Sequence, residues 1–386
     1  MKSFNRDVIL SIAVLFQMVI SVVQLILPLT GMMSVEQAAK LRVMATLITF
    51  IPAILSLLQH DKRGLILSFG TYFFVILLGL GFYPNSAVFI NSSQAWTLTP
   101  IVIITFLCMY NIKDYDKFWR LLLYSGRLCT GLAVVYLVMY IISPLRDTST
   151  SYNMHFGYSL LLPIMYLFTS SRLIDKLLSM VMLGIVLLVG SRGPALLALF
   201  FYAIYAACID RKLVLKLAVP LLILAPIVVA DLPKYFDMDS ARTISLILSG
   251  EVGSHDSGRT DIYNIVESKI FERPITGWGI GSDRAFLHTY AHNLMLELAL
   301  HYGVIISALI LFAIFFYFIG GLKHNRARRV GGWIFIIMMA LYGLAPLMVS
   351  SSYLEDYKFA TFMGVLLSAY RKGYHIVANL VQTSRK

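Results

Sequence analysis

Three residues could carry chemistry: Arg192, Arg259 and His292. Arg192 stands in GSRGP, residues 190–194, between two apolar runs. Charged side chains at membrane depth are rare and mark functional sites. Pro194 suits the first turn of a following helix, where its missing N–H costs nothing. The free N–H groups and the positive dipole end of that helix would sit beside the guanidinium, making an anion site apt for phosphate. The plainer alternative is an interfacial arginine reaching lipid headgroups. Arg259, in SGRTD, reads by itself as a solvated loop charge. Gly277, Gly279 and Gly281 form a spaced run in GWGIGSD; backbone N–H groups of such a run can approach a phosphate, although a turn is the more common use.

His292 opens AHNLMLELALHYG, residues 291–303. On a helix His292, Leu296, Ala299 and Gly303 would share one face, and the small Ala299 and Gly303 would admit a neighbouring helix. A histidine at that point is suited to act as a general base near neutral pH; the alternative is an interfacial histidine bonded to a carbonyl. Glu297 and His301, four residues apart, are placed to pair with each other. No spacing among His255, Asp256 and Asp261 fits a metal site, and no covalent nucleophile stands out.

The elements that must position these residues are membrane helices. The chain has 386 residues, of which 59% are hydrophobic and 13% charged, with mean hydropathy +0.78. Soluble domains carry about 25% charged residues, so most of this surface must face lipid. The formal charge of +12 then serves membrane orientation rather than nucleic-acid binding. Cys108, Cys129 and Cys208 lie in apolar stretches and read as buried thiols. Trp96, Trp119, Trp278 and Trp333 mostly flank apolar runs and read as an interfacial belt. Arg127 reads as a snorkelling side chain.

A span needs about 20 apolar residues. Twelve segments qualify: 8–30, 41–59, 64–82, 94–110, 121–143, 156–171, 174–190, 194–210, 213–230, 298–320, 331–350 and 359–371. The first follows a basic start and is too long for a signal-peptide core. The expected fold is therefore an all-α polytopic integral membrane protein. Residues 1–230 supply helices one to nine, 231–297 form one large extracytoplasmic loop containing short helices, and 298–386 supply the last three helices and a cytoplasmic tail. Alternate connections carry 20 Lys and Arg on one side. The short connections of the other side carry five: Lys40, Arg42, Arg146, Arg192 and Lys358. The positive-inside rule puts both termini in the cytoplasm and the large loop outside. Within it, Ile262, Ile265, Val266 and Ile270 have helical spacing, ended by Pro274.

GSRG at 190–193, GRTDIYNIVESKIFERPITGWGIGS at 258–282 and HNLMLELALHYG at 292–303 together resemble the O-antigen ligase/polymerase superfamily. The likeness covers roughly residues 185–305. It implies a glycosyltransferase, without metal or other cofactor, at the outer face of the bacterial cytoplasmic membrane. Such an enzyme moves glycan from an undecaprenyl diphosphate donor to an acceptor hydroxyl. By the resemblance Arg192 and Arg259 bind the donor diphosphate, and His292 orients or deprotonates the acceptor. Ser191, Gly277, Gly279, Asn293 and Glu297 support them. The implied partners are a lipid-linked oligosaccharide donor and acceptor and membrane lipid, with room for a chain-length regulator and no nucleic acid. Ligases of this family often carry a second glycine where this chain has Ile306, which favours a polymerase of O-antigen, capsule or exopolysaccharide units. A ligase acting on lipid A–core is the alternative, and a lipid-oligosaccharide transporter a more distant one.

Overall fold

A backbone in lipid must satisfy its own hydrogen bonds, and long apolar runs do so as helices. The computed structural model describes residues 6–143, 154–209, 259–328 and 332–372. Among these residues it is all-helical. Six helices are long and apolar enough to cross a membrane: α1 (Arg6–Leu29), α2 (Val35–His60), α3 (Lys62–Phe82), α5 (Ser93–Asn111), α6 (Tyr115–Ile142) and the Leu294–Lys323 part of α12 (Leu294–Arg328). The short α4 (Ala87–Ile90) follows a 3-10 turn at Pro84–Ser86. Shorter helices are α7 (Met154–Phe168), α8 (Leu173–Leu188), α9 (Arg192–Cys208), α10 (Arg259–Glu272), α11 (Asp283–Leu287), α13 (Gly332–Gly343) and α14 (Tyr357–Lys372). The expected ninth span, 213–230, and the loop as far as residue 258 lie outside the described residues.

The chain divides into two compact units, each assembled from separated segments. One combines 1–14, 46–117 and 256–377. In it α5 packs along α14, and α12, α13 and α14 pack on one another. Phe89, Ile90, Ala95, Ile280 and Leu354 form a buried cluster with Tyr72 and Ile76 of α3. The start of α1 is tied down by polar contacts: Asp7 accepts the backbone N–H groups of Lys113 and Asp114, and Arg6 donates to Asn111, which donates to Asp61.

The other unit combines 15–45, 118–255 and 378–386. Its α7 is buried along its whole length from Phe156 to Phe168, between α8 and α9. A helix apolar on every side belongs in such a place. Aromatic stacking fixes it: Phe156 on Tyr136 at 4.2 Å, Phe168 on Tyr202 at 3.7 Å, Tyr166 on Trp119 at 5.3 Å.

Several sequence expectations change here. Trp119 is a buried core residue rather than part of a belt. Arg127 does not snorkel; its guanidinium grips the buried Asp175 carboxylate at 2.8 and 3.1 Å, and Ser170 donates to the same group. Cys208, near the end of α9, is exposed, whereas Cys108 and Cys129 are buried. Expected span 331–350 is an α-helix only to Gly343; a 3-10 turn at Ala345–Met348 follows, because Pro346 cannot donate into a continuing helix.

The candidate site at the start of helix α12

The tenth span begins earlier than its apolar run suggests. Asn293 caps α12, its side-chain oxygen accepting the N–H groups of Met295 and Leu296 at 3.0 and 3.3 Å. A cap of this kind contributes about 1 kcal/mol. His292 therefore stands before the helix, not on its face, and adopts the left-handed region with φ 55°. For a residue with a side chain that costs roughly 1–2 kcal/mol. Such strain persists only where the surroundings impose it, and it concentrates at functional sites.

Gly303 breaks α12, with φ 78° and ψ 166°. The break leaves backbone groups without helical partners, and the 274–279 turn takes them up. Trp278 N–H donates to Leu300 C=O at 2.8 Å, Gly279 N–H to His301 C=O at 3.0 Å, and Val304 N–H to Pro274 C=O at 2.7 Å. Gly277 N–H goes to Arg273 C=O. Gly277 and Gly279 thus spend their N–H groups on backbone rather than on a phosphate. At Gly277 (φ 65°) a Cβ would come within 2.6 Å of Gly303 N. The small residues Ala299 and Gly303 were expected to admit a helix; Gly303 admits this turn instead. Helix α10 closes over the site through Ile262, Val266 and Ile270, which pack with Ala291 and Leu300. Ile265 faces outward.

Behind this surface lies a buried ionic network. Arg284 Nη1 bonds both oxygens of Asp283, at 2.7 and 2.8 Å, and reaches Glu297 at 3.3 Å. Its Nη2 bonds Ser352 at 3.0 Å and Glu355 at 2.6 Å. Ser352 also donates to Glu297. His301 and Glu297 do not pair with each other as their spacing suggested. His301 places Nε2 3.0 Å from Asp283 and Nδ1 2.8 Å from the Tyr353 hydroxyl. Asp283, Glu297 and His301 bring three donor atoms within 4.8 Å of one another. Three such donors are a sufficient nucleus for a cation, and the cation among them is the Arg284 guanidinium. This is an ion-pair network with its charge already supplied. Burial alone would push the Asp283 carboxyl up, but the His301 ring and the Arg284 charge outweigh it and hold the group well below the usual carboxylate range.

His292 is tuned differently. Burial and the positive charge of Arg259 push its pKa below 6.5, with Asp283 opposing. Burial and Arg259 both favour the neutral ring. Its Nδ1 is buried without a hydrogen-bond partner among the described residues, and its ring lies 4.3 Å from that of Tyr290. A neutral imidazole with an unspent nitrogen beside a guanidinium can accept a proton next to an anion. Arg259 stands at the first residue of α10, where the positive dipole end adds to its charge.

Arg192 belongs to the other unit. It is the first residue of α9, Ser191 is its buried N-cap, and Pro194 lies in the first turn, as read from the sequence. Gly157 of α7 lies against this turn: a Cβ there would meet Ser191 at 2.7 Å.

Beside the network in the first unit, a cavity of about 350 Å³ is walled by Val75, Ile103, Phe106, Ile280, Leu354 and Phe359. The Tyr302 and Tyr353 hydroxyls, 2.9 Å apart, join its wall to His301.

Sequence reasoning missed Asp283, Arg284, Ser352, Tyr353 and Glu355. The signal was available in SSSYLED, residues 350–356, a polar run between two apolar segments.

Fold and site together define an all-helical protein with helices able to cross a membrane and a strained histidine beside an arginine. No family model, curated protein or solved structure matches the chain.

Proposed function

We propose that this chain is a multi-pass membrane glycosyltransferase that polymerises undecaprenyl-diphosphate-linked oligosaccharide units at the outer face of the bacterial cytoplasmic membrane. It would span the membrane about twelve times with both termini inside. The observation that carries the reading is His292: left-handed, its buried Nδ1 without a hydrogen-bond partner among the described residues, and its pKa lowered by burial and by the charge of Arg259. A base for a hydroxyl beside a cation for a phosphate is what glycosyl transfer from a lipid diphosphate requires. The apolar cavity beside the network suits a hydrophobic substrate.

In the proposed reaction His292 takes the proton of the acceptor hydroxyl as its oxygen attacks the anomeric carbon. The bond from that carbon to the diphosphate oxygen breaks, and the electron pair leaves with the diphosphate. Arg259 counters the charge that develops there. A single displacement inverts the anomeric configuration, and the proton on His292 returns to solvent or to the departing phosphate. The ligase reading shares every step and differs only in the acceptor; Ile306, where ligases often carry glycine, favours the polymerase.

Alanine at Arg192, Arg259 and His292 in turn tests the reading. Each variant should reach normal membrane levels and lose polymer in cells that depend on the gene. Full polymer from His292→Ala would remove the base and with it this mechanism.

A further inference from the structure

The His292 backbone is held in place from behind. Asp283 Oδ2 accepts the N–H of Ala291 at 3.2 Å, one residue before His292. The same carboxylate is fixed by Arg284 and by His301, and Asp283 is fully buried. Arg284 in turn is held by Glu297, Ser352 and Glu355, which come from two further segments of the chain. On the other side Tyr290 donates its hydroxyl to Ser350 C=O at 3.0 Å and lies tilted against the His292 ring. Asn293 is occupied in capping α12. The chain from 288 to 293, which contains left-handed residues at both His288 and His292, is thus clamped at successive positions. Among these clamps Asp283 holds the Tyr290–Ala291 peptide, the one just before the peptide that enters His292.

We propose that Asp283 is the positioning residue of His292: its buried carboxylate holds the Ala291 N–H and so imposes the left-handed backbone that presents the imidazole. Its catalytic meaning rests on the reading of His292 as the base. The structural part stands without it. A strained conformation needs surroundings that over-determine it. Apart from the loop itself, Arg284, through its guanidinium and its backbone N–H, and His301 fix this carboxylate, so its own geometry cannot relax to suit the loop. The charged and titratable groups around His292 are Arg259 from α10, Asp283 from α11 and Tyr290 from its own loop. Arg259 and Asp283 act on the imidazole in opposite directions. Asp283 therefore sets both where the ring stands and how readily it takes a proton.

The test reads His292 without substrate, in the full-length protein in detergent with carbon-13-labelled histidine, its signal assigned by its loss in His292→Gln. In Asp283→Asn the His292 titration midpoint should move to lower pH, whereas in Arg259→Gln it should move to higher pH. In the same Asp283→Asn protein, transferase turnover should fall by about 100-fold with KM for the lipid donor little changed, the effect of a displaced catalytic group. An unchanged midpoint in a folded Asp283→Asn protein overturns the proposal. Should that variant not fold, hydrogen exchange in the wild-type protein decides: the Ala291 amide should be as slow as the first turn of α12, and rapid exchange overturns the proposal. Absence of transferase activity in the wild type, with the midpoint shifts and the slow amide present, would overturn the glycosyltransferase reading and leave the positioning role standing.

Discussion

Replacing Gly303 by alanine should detach the turn that supports the site. Two costs combine. The backbone at φ 78° and ψ 166° lies in a region essentially reserved for glycine, worth about 1–3 kcal/mol for any other residue. A Cβ there would also overlap the Ile275 carbonyl, which is backbone and cannot swing aside. The turn must then move, and the bonds from Trp278, Gly279 and Val304 are strained or lost, at about 0.5–1.5 kcal/mol each. The sum is on the order of 3–7 kcal/mol, a large share of the roughly 5–15 kcal/mol of net stability typical of a folded protein. Gly70 of α3 is the matched control, since a Cβ there meets nothing within 4 Å. In mid-helix, Gly70→Ala should stabilise by about 0.5–1 kcal/mol. Denaturant unfolding in detergent, followed through Trp278 fluorescence, reads both variants. Gly303→Ala within about 0.5 kcal/mol of wild type would refute the docking of turn on break, since that shift is no more than an ordinary surface change.

Three further outcomes follow from the same geometry. Arg259→Gln removes a positive charge near His292, so its pKa should rise toward 6.5; the acid-side loss of reactivity toward diethyl pyrocarbonate should move to higher pH, because only the neutral ring reacts. Arg284→Met leaves Asp283, Glu297 and Glu355 without their shared cation, and should destabilise by about 3–5 kcal/mol in the same unfolding assay. Asn293→Ala should cost about 1 kcal/mol and raise hydrogen exchange in the first turn of α12, while Asn293→Asp, which keeps an acceptor, should not.

Helices were legible wherever apolar runs were long, since lipid leaves the backbone no other local solution. The ends of those helices were less so. The start of α12 depends on Asn293, a single capping residue, and its break depends on Gly303, whose φ no periodicity reveals. Hydropathy could not separate Trp119 in a core from a tryptophan at an interface, because both sit beside apolar runs. Arg192 and His292 drew notice by type and setting and Arg259 only through the family resemblance, while Pro194 does lie in the first turn of α9. What stayed hidden was the network behind His292. Asp283, Arg284, Glu297, His301 and Glu355 come from three stretches of chain, and only the fold brings their charges together. Glu297 and His301 drew notice for their spacing, yet their real partners lie on other elements.

The most direct measurement is reconstitution of the purified protein in liposomes with a lipid-diphosphate-linked repeat unit as the only glycan, and products resolved by gel. A polymerase gives a ladder of longer glycans that His292→Ala abolishes. Transfer only after lipid A–core is added would replace the polymerase with the ligase. No transfer to either acceptor from folded protein would contradict the glycosyltransferase assignment itself.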